Sequence, residues 1–136
     1  MKETDLHYLS ISETAREIES KRISPIELTQ TYLKRIELLN PIVNAYLTVT
    51  AEHALSQARD AEKAILRGRY QGALHGIPIA LKDIFDTQGI LTTAGSKIHK
   101  DRIPSRDSYM ASRLKRAGAI LLGKLNMHEF AFGITN

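Results

Sequence analysis

Apolar and polar positions along the first half of the chain recur at helical spacing. Ile11, Ala15 and Ile18 share one face behind Ser10-Ile11-Ser12-Glu13. That is a capping-box pattern, in which a serine hydroxyl and a glutamate satisfy the first backbone N–H groups of a helix. Ser24-Pro25-Ile26-Glu27 repeats the pattern, with Pro25 at the first helical position, where its missing N–H costs nothing, and Leu28, Tyr32, Ile36 and Leu39 form the next buried stripe. Asn40-Pro41 is expected to end this helix, because the residue before a proline is pushed out of the helical region. Residues 44–50 are rich in β-branched and aromatic side chains and predict a short strand. A third helix follows, with Thr50 as its cap, Ala51, Ala54, Leu55, Ala58, Ala61 and Ile65 on its inner face and Gly68 as its stop. Its small side chains call for close packing against a neighbour.

From Gly72 onward the pattern changes to short apolar runs separated by turns. Residues 77–83 are apolar until their charged end, as in a strand buried on both sides. Pro78 favours an early-strand or edge position. Residues 86–89 and 92–96 read as turns or loops. A helix is expected over residues 108–117, with Met110, Leu114 and Ala117 inward and Gly118 at its end, then a buried strand over 119–122 and a helical turn or two over 127–132. Helices followed by strand, loop, helix and strand predict an α/β fold: N-terminal helices, then the first strands of a mixed sheet flanked by helices. Residues 1–71 are mainly helical in this reading, residues 72–136 carry the strands, and there is no repeat and no linker. Phe130, Phe132 and Ile134 cluster near the C-terminus, so the chain reads as the N-terminal part of a larger single domain. Such a patch would seek a complementing C-terminal segment or a second copy.

Composition narrows the function classes. Of 136 residues, 43% are hydrophobic, enough for a core, and none is cysteine, which removes disulfides, thiolate zinc sites, iron–sulfur clusters and cysteine nucleophiles. No apolar run approaches the roughly 20 residues of a membrane span. The start Met1-Lys2-Glu3-Thr4-Asp5 leads into no apolar h-region, so a cytoplasmic protein without membrane attachment is expected. Nineteen basic against 15 acidic residues give a net charge of +4. The basic pairs Lys21/Arg22, Lys34/Arg35, Arg67/Arg69 and Lys115/Arg116 lie mostly within helical patterns, where a solvated face explains them, and a nucleic-acid partner is not expected.

Two motif fragments fail on their chemistry. Gly118-Ala-Ile-Leu-Leu-Gly123-Lys124-Leu125 has the spacing of a phosphate loop, but Leu125 stands where a magnesium-holding Ser or Thr is needed, and four strand formers cannot curl around a phosphate. His128-Glu129 opens a zinc-protease pattern whose second ligand position is Phe132. The five histidines share no ligand spacing, and no metal or cofactor is expected. Lys82 is the better lead, because the end of a buried strand is where α/β folds place their sites. A buried lysine would be neutral enough to act as a general base; the competing reading pairs Lys82 with Asp83 or leads its ammonium to water.

Three ordered blocks then carry a resemblance. Leu74-His-Gly-Ile-Pro-Ile-Ala-Leu-Lys-Asp83, Asp86-Thr-Gln-Gly-Ile-Leu-Thr-Thr-Ala-Gly-Ser96 and Leu114-Lys-Arg-Ala-Gly-Ala-Ile-Leu-Leu-Gly-Lys-Leu-Asn-Met-His-Glu-Phe-Ala131 together resemble the N-terminal third of the amidase signature family, and the helices before Leu74 also look like that family's. The resemblance implies hydrolysis of a carboxylic amide by a Ser, cis-Ser, Lys triad on an α/β sheet, with a small-molecule amide as the partner of the complete enzyme. It makes Lys82 the catalytic base, with Thr93, Gly95, Ser96, Asn126 and Met127 near the substrate pocket. The same blocks resemble the A-subunit of the glutamyl-tRNA(Gln) amidotransferases, which take ammonia from glutamine; Phe85-Asp86, Gly95-Ser96 and His128 lean towards the general amidases. None of the nine serines has the Gly/Ser-rich context of the family's catalytic pair. That signature is expected C-terminal to Asn136, and the chain alone is expected to be inactive. A truncated, non-catalytic module that associates with a partner is the alternative from another class.

Overall fold

The computed structural model describes residues 3–134. Met1, Lys2, Thr135 and Asn136, which entered the readings of the two ends, lie outside the described residues. A 3₁₀ segment, Glu3–Tyr8, leads into helices α1 (Ile11–Glu19) and α2 (Pro25–Val43), strand β1 (Tyr46–Val49) and helix α3 (Ala51–Leu66). Strand β2 (Pro78–Lys82), helix α4 (Tyr109–Arg116) and strand β3 (Ile120–Leu125) follow, with 3₁₀ turns at Lys97–His99 and Glu129–Ala131. The sheet order is β1-β3-β2. β1 runs antiparallel and β2 parallel to β3, so the sheet is mixed, as the order of elements implied. Among the described residues no helix is long and apolar enough to cross a membrane.

The capping signals resolve differently at each helix. At α1 the box closes in both directions: Glu13 N–H donates to the Ser10 hydroxyl, and Ser10 N–H donates to the Glu13 carboxylate at 2.8 Å. At α2 the Ser24 hydroxyl accepts from the N–H groups of Ile26 and Glu27. Its own proton goes to Glu62 of α3, so the second box is only half formed and the cap ties two helices together. Helix α2 also passes through Pro41 instead of stopping at Asn40. A proline so near the end forfeits one N–H bond, and the last turn is held from outside it. Asn44, in the left-handed conformation, donates its N–H to Asn40 O, while the Asn40 amide accepts from Tyr46 N–H and donates to Tyr46 O. Thr50 does not cap α3. Its hydroxyl donates to Leu121 O and its N–H to Leu122 O, which commits the residue to β3.

The core lies on both faces of β3. Ile120 and Leu122 meet Ala54 and Ala58 of α3, where the absence of larger side chains lets the helix approach the strand. Gln57 of the same helix accepts from Leu121 N–H at 2.8 Å. On the opposite face Leu121 packs with Leu81, Ala111 and Leu114. A third cluster joins Leu6, Ile18, Ile23, Leu28, Ile65 and Ile77 at the N-terminal side. Three positions expected to face inward do not. Ile11 and Ala51 sit in first turns beyond the clusters, and Met110 gives way to Ala111, which shares the inward face of α4 with Leu114. Phe130, Phe132 and Ile134 are exposed, Phe132 by 92%.

Two close approaches hold the strands. β1 crosses β3 so tightly at Gly123 that a Cβ there would lie 2.2 Å from Thr48 O. Where α4 turns into β3, Gly118 has φ +80° and a Cβ would lie 2.5 Å from the His75 ring. The N–H groups of Gly118 and Ala119 there close on Lys115 O and Leu114 O, a Schellman ending. His75 is buried, stacks on Tyr70 and accepts from Gln71 N–H through Nδ1, which requires the neutral ring.

This packing can be tested at two positions. Gly123→Ala is expected to lower stability by about 1–3 kcal/mol, because the clashing atoms are backbone and β1 must move away; a denaturation midpoint equal to the parent's would contradict the close approach. Burial pushes the pKa of His75 down. The unfolded chain, with a histidine near the ordinary value of about 6.5, then binds the proton first. Stability is therefore complete above that value and falls as pH drops through the lower folded-state pKa. Thermal unfolding between pH 8 and pH 5 should show this loss, and His75→Gln should flatten it.

Candidate active site

β2 ends at Lys82, opposite Leu125 on β3, and Asp83 adds one more rung by donating its N–H to Leu125 O. Leu81 lies opposite Lys124 in the same register. Two lysines thus occupy neighbouring rungs at the end of a parallel strand pair, and their environments are opposite. Lys82 is exposed, and among the described residues no hydrogen bond or ion pair holds its ammonium. Lys124 is fully buried. Asp83 is also fully buried, and it pairs with Lys124 instead of Lys82; of the readings of Lys82, burial and pairing with Asp83 are both corrected, and the one that leads its ammonium to water fits its exposure.

The buried pair is the centre of a closed network. Lys124 Nζ donates to Phe85 O at 2.8 Å and to Thr92 Oγ1 at 2.7 Å, and lies 3.4 Å from Asp83 Oδ1. The other carboxylate oxygen of Asp83 accepts from Thr93 N–H at 2.9 Å and from the Thr93 hydroxyl at 2.5 Å. Asp83 Oδ1 has no directed hydrogen bond, so the ion pair alone compensates its burial. Desolvation pushes the Lys124 pKa down, and the Asp83 carboxylate pulls it back. At the rim Arg102 grips Asp86 with two bonds of 2.7 and 2.8 Å, which lowers the Asp86 pKa. That pair is half exposed and adds little to stability.

This network seats the loop that the family resemblance puts near the pocket. Ala94 N–H donates to Asp83 O, Gly95 N–H donates to Thr93 Oγ1, and Ala94 adopts φ +53°. Gly95 presses on the next segment: with φ +67°, a Cβ there would lie 2.8 Å from Met127 O. The Ser96 hydroxyl donates to Glu129 at 2.5 Å and accepts from Ile98 N–H, starting the Lys97–His99 turn. Thr93, Gly95, Ser96 and Met127 therefore come together beside the end of β2. Asn126 faces another way, with its amide donating to Asn44 O and accepting from Met127 N–H, as in a turn residue.

Sequence reasoning misses the roles of Asp83, Lys124 and Glu129. One signal for Lys124 is present in the sequence, a lone charge inside the apolar run 119–125, but its spacing reads first as a fragment of a phosphate loop. Among the described residues no group of His, Asp and Glu is arranged to hold a metal ion.

Comparison with known proteins places this arrangement in a family. The Amidase family model matches residues 27–136, and the chain belongs to the amidase signature family. A curated relative, the glutamyl-tRNA(Gln) amidotransferase A-subunit of Acinetobacter baumannii, is 50% identical over 133 residues, which are 98% of this chain and 27% of that protein. Among solved structures, the peptide amidase of Stenotrophomonas maltophilia matches with a TM-score of 0.84 and 33% identity, over 89% of this chain and 25% of its own. A chain from a vestigial complex linked to the origins of an s-triazine catabolic enzyme matches with a TM-score of 0.89 and 37% identity, over 93% of this chain and 28% of its own. The chain thus spans about a quarter of the length of the relatives it matches. Their family is one of enzymes acting on carbon–nitrogen bonds.

Removing one buried charge should reveal the coupling of the pair. Lys124→Met leaves Asp83 buried without its counter-ion and is expected to cost about 3–5 kcal/mol. Asp83→Asn with Lys124→Met leaves no buried charge and keeps an acceptor for Thr93, so it should be more stable than Lys124→Met alone. Denaturant midpoints decide this, and an equal or lower midpoint for the double variant would contradict coupling.

Proposed function

We propose that this chain is the N-terminal, lysine-bearing part of an enzyme that cleaves a carboxylic amide, with Lys82 as its general base. The observation that carries this reading is the position of Lys82: it ends a parallel strand within the family match, in the block Gly76-Ile-Pro-Ile-Ala-Leu-Lys-Asp83, with its ammonium uncommitted. In this proposal the rest of the enzyme covers Lys82, which is exposed here, and the desolvation favours its neutral amine; that amine takes a proton through one serine hydroxyl from a second serine, which attacks the amide carbonyl. The same proton then passes to the departing ammonia or amine as the C–N bond breaks. The two serines and the oxyanion donors belong, in this proposal, to a Gly/Ser-rich segment outside these 136 residues.

A second reading names the amide. Identity to the amidotransferase A-subunit of A. baumannii, 50%, exceeds that to the peptide amidase, 33%, which supports glutamine as the ammonia donor. It runs against the lean towards general amidases drawn from Phe85-Asp86, Gly95-Ser96 and His128.

The test is a graft. Residues 1–136, joined to the remainder of the A. baumannii amidotransferase A-subunit in place of its own N-terminal quarter and assayed with its companion subunits, should release ammonia from glutamine, while the chain alone should hydrolyse no amide. Lys82→Ala in the graft should lower kcat by about 10²–10⁴-fold. Retention of full kcat by Lys82→Ala would rule out the assignment of the base.

A further inference from the structure

We propose that Asp83 and Lys124 are positioning residues for the reaction, a buried clamp that sets the direction in which Lys82 leaves the sheet and locks the 92–96 loop to it. The inference rests on the role of Lys82 proposed above and concerns how that side chain is aimed. Lys82 has no polar contact of its own to orient it among the described residues. What the described residues fix is therefore where its Cβ leaves the backbone, and the next residue along that backbone is Asp83.

Every contact of the pair bears on this geometry. Asp83 N–H holds the β2 end to Leu125 O, its carboxylate takes both Thr93 donors, and its carbonyl takes Ala94 N–H. Lys124 reaches Phe85 O, two residues beyond Asp83, and Thr92 Oγ1 at the start of the loop. The ammonium and the carboxylate thus join the end of β2 to the 92–96 loop. The loop in turn meets the segment after β3, where Gly95 packs on Met127 and Ala94 O accepts from Phe130 N–H. Ala94 is held at φ +53°, a conformation that persists in a non-glycine residue only where its surroundings over-determine it.

The energetics point the same way. Two apolar side chains of similar volume would fill the space at no greater cost than a fully buried ion pair. What they could not do is present the four directed side-chain hydrogen bonds that reach Phe85, Thr92 and Thr93. The pair's contribution is geometric, and geometry at a reacting group is worth more in rate than in stability: a misplacement of about 1 Å can cost about 100-fold.

The same graft provides the test, with Lys82→Ala as the reference. Asp83→Asn/Lys124→Met is expected to lower kcat by about 30-fold or more, with KM within about threefold of the parent, while its melting temperature recovers above that of Lys124→Met. Thr92→Val, which keeps shape and removes one acceptor of Lys124, should lower kcat by about three- to tenfold with KM unchanged. A merely structural pair would instead restore kcat together with stability in the double variant and leave Thr92→Val fully active; either result overturns the proposal. If the double variant does not fold, Thr92→Val decides. If Lys82→Ala itself retains activity, the assignment of the base has failed; if Lys82→Ala is inactive while both other variants retain full kcat, only the clamp has failed.

Discussion

The ion pair between Asp83 and Lys124 is the constraint on which the rest of this structure turns. Neither group is accessible to water, and a bare charge in such a place would cost several kcal/mol. The chain is therefore obliged to surround the pair with partners: Phe85 O and Thr92 Oγ1 for the ammonium, Thr93 for the carboxylate. Those partners lie in the stretch between β2 and α4, which has almost no regular secondary structure to hold it. The buried pair anchors it at Phe85, Thr92 and Thr93, and bonds within the stretch hold the rest, Gly89 N–H to Pro104 O, Thr92 N–H to Arg102 O and the rim pair of Arg102 and Asp86 among them.

The pair in turn depends on β3. This strand lies between β1 and β2, and its consecutive residues serve different neighbours. Ile120 and Leu122 meet the alanine face of α3, Leu121 meets Leu81 and Ala111, Gly123 gives up its side chain so that β1 can close, and Lys124 carries its charge to the loop. One strand therefore ties the helical layer to the loop beside the site. The tight fit of α3 on one face and of β1 at one edge places the lysine Cα so that its ammonium reaches Phe85 O, Thr92 Oγ1 and the Asp83 carboxylate, the partners that offset its burial.

Membership in the amidase signature family agrees with this arrangement at the level of class. The chain matches about a quarter of its relatives' length, and within that quarter the strand end, the loop beside it and the segment after β3 already form one connected unit. Lys82 stands at the edge of that unit with its ammonium exposed.

Much of the fold was legible because it rests on local rules. The Ser10 box, the Ser24 cap, the alanine face of α3, the Gly68 and Gly118 endings and the first-residue position of Pro78 each follow from a few neighbouring residues and one backbone preference. The departures arose where a distant partner overrode a local preference. Pro41 stays within α2 because Asn40 and Asn44 hold the turn around it, and Thr50 leaves its helix uncapped because β3 offers it a carbonyl. The site divides in the same way. The block around Lys82 could be recognised from the sequence, as could the loop and the segment placed beside it. Which lysine would be buried could not: Lys82 and Lys124 each follow an apolar run, and only the pairing of β2 with β3, which sets Asp83 against Lys124, decides which of the two charges gains a partner and leaves water.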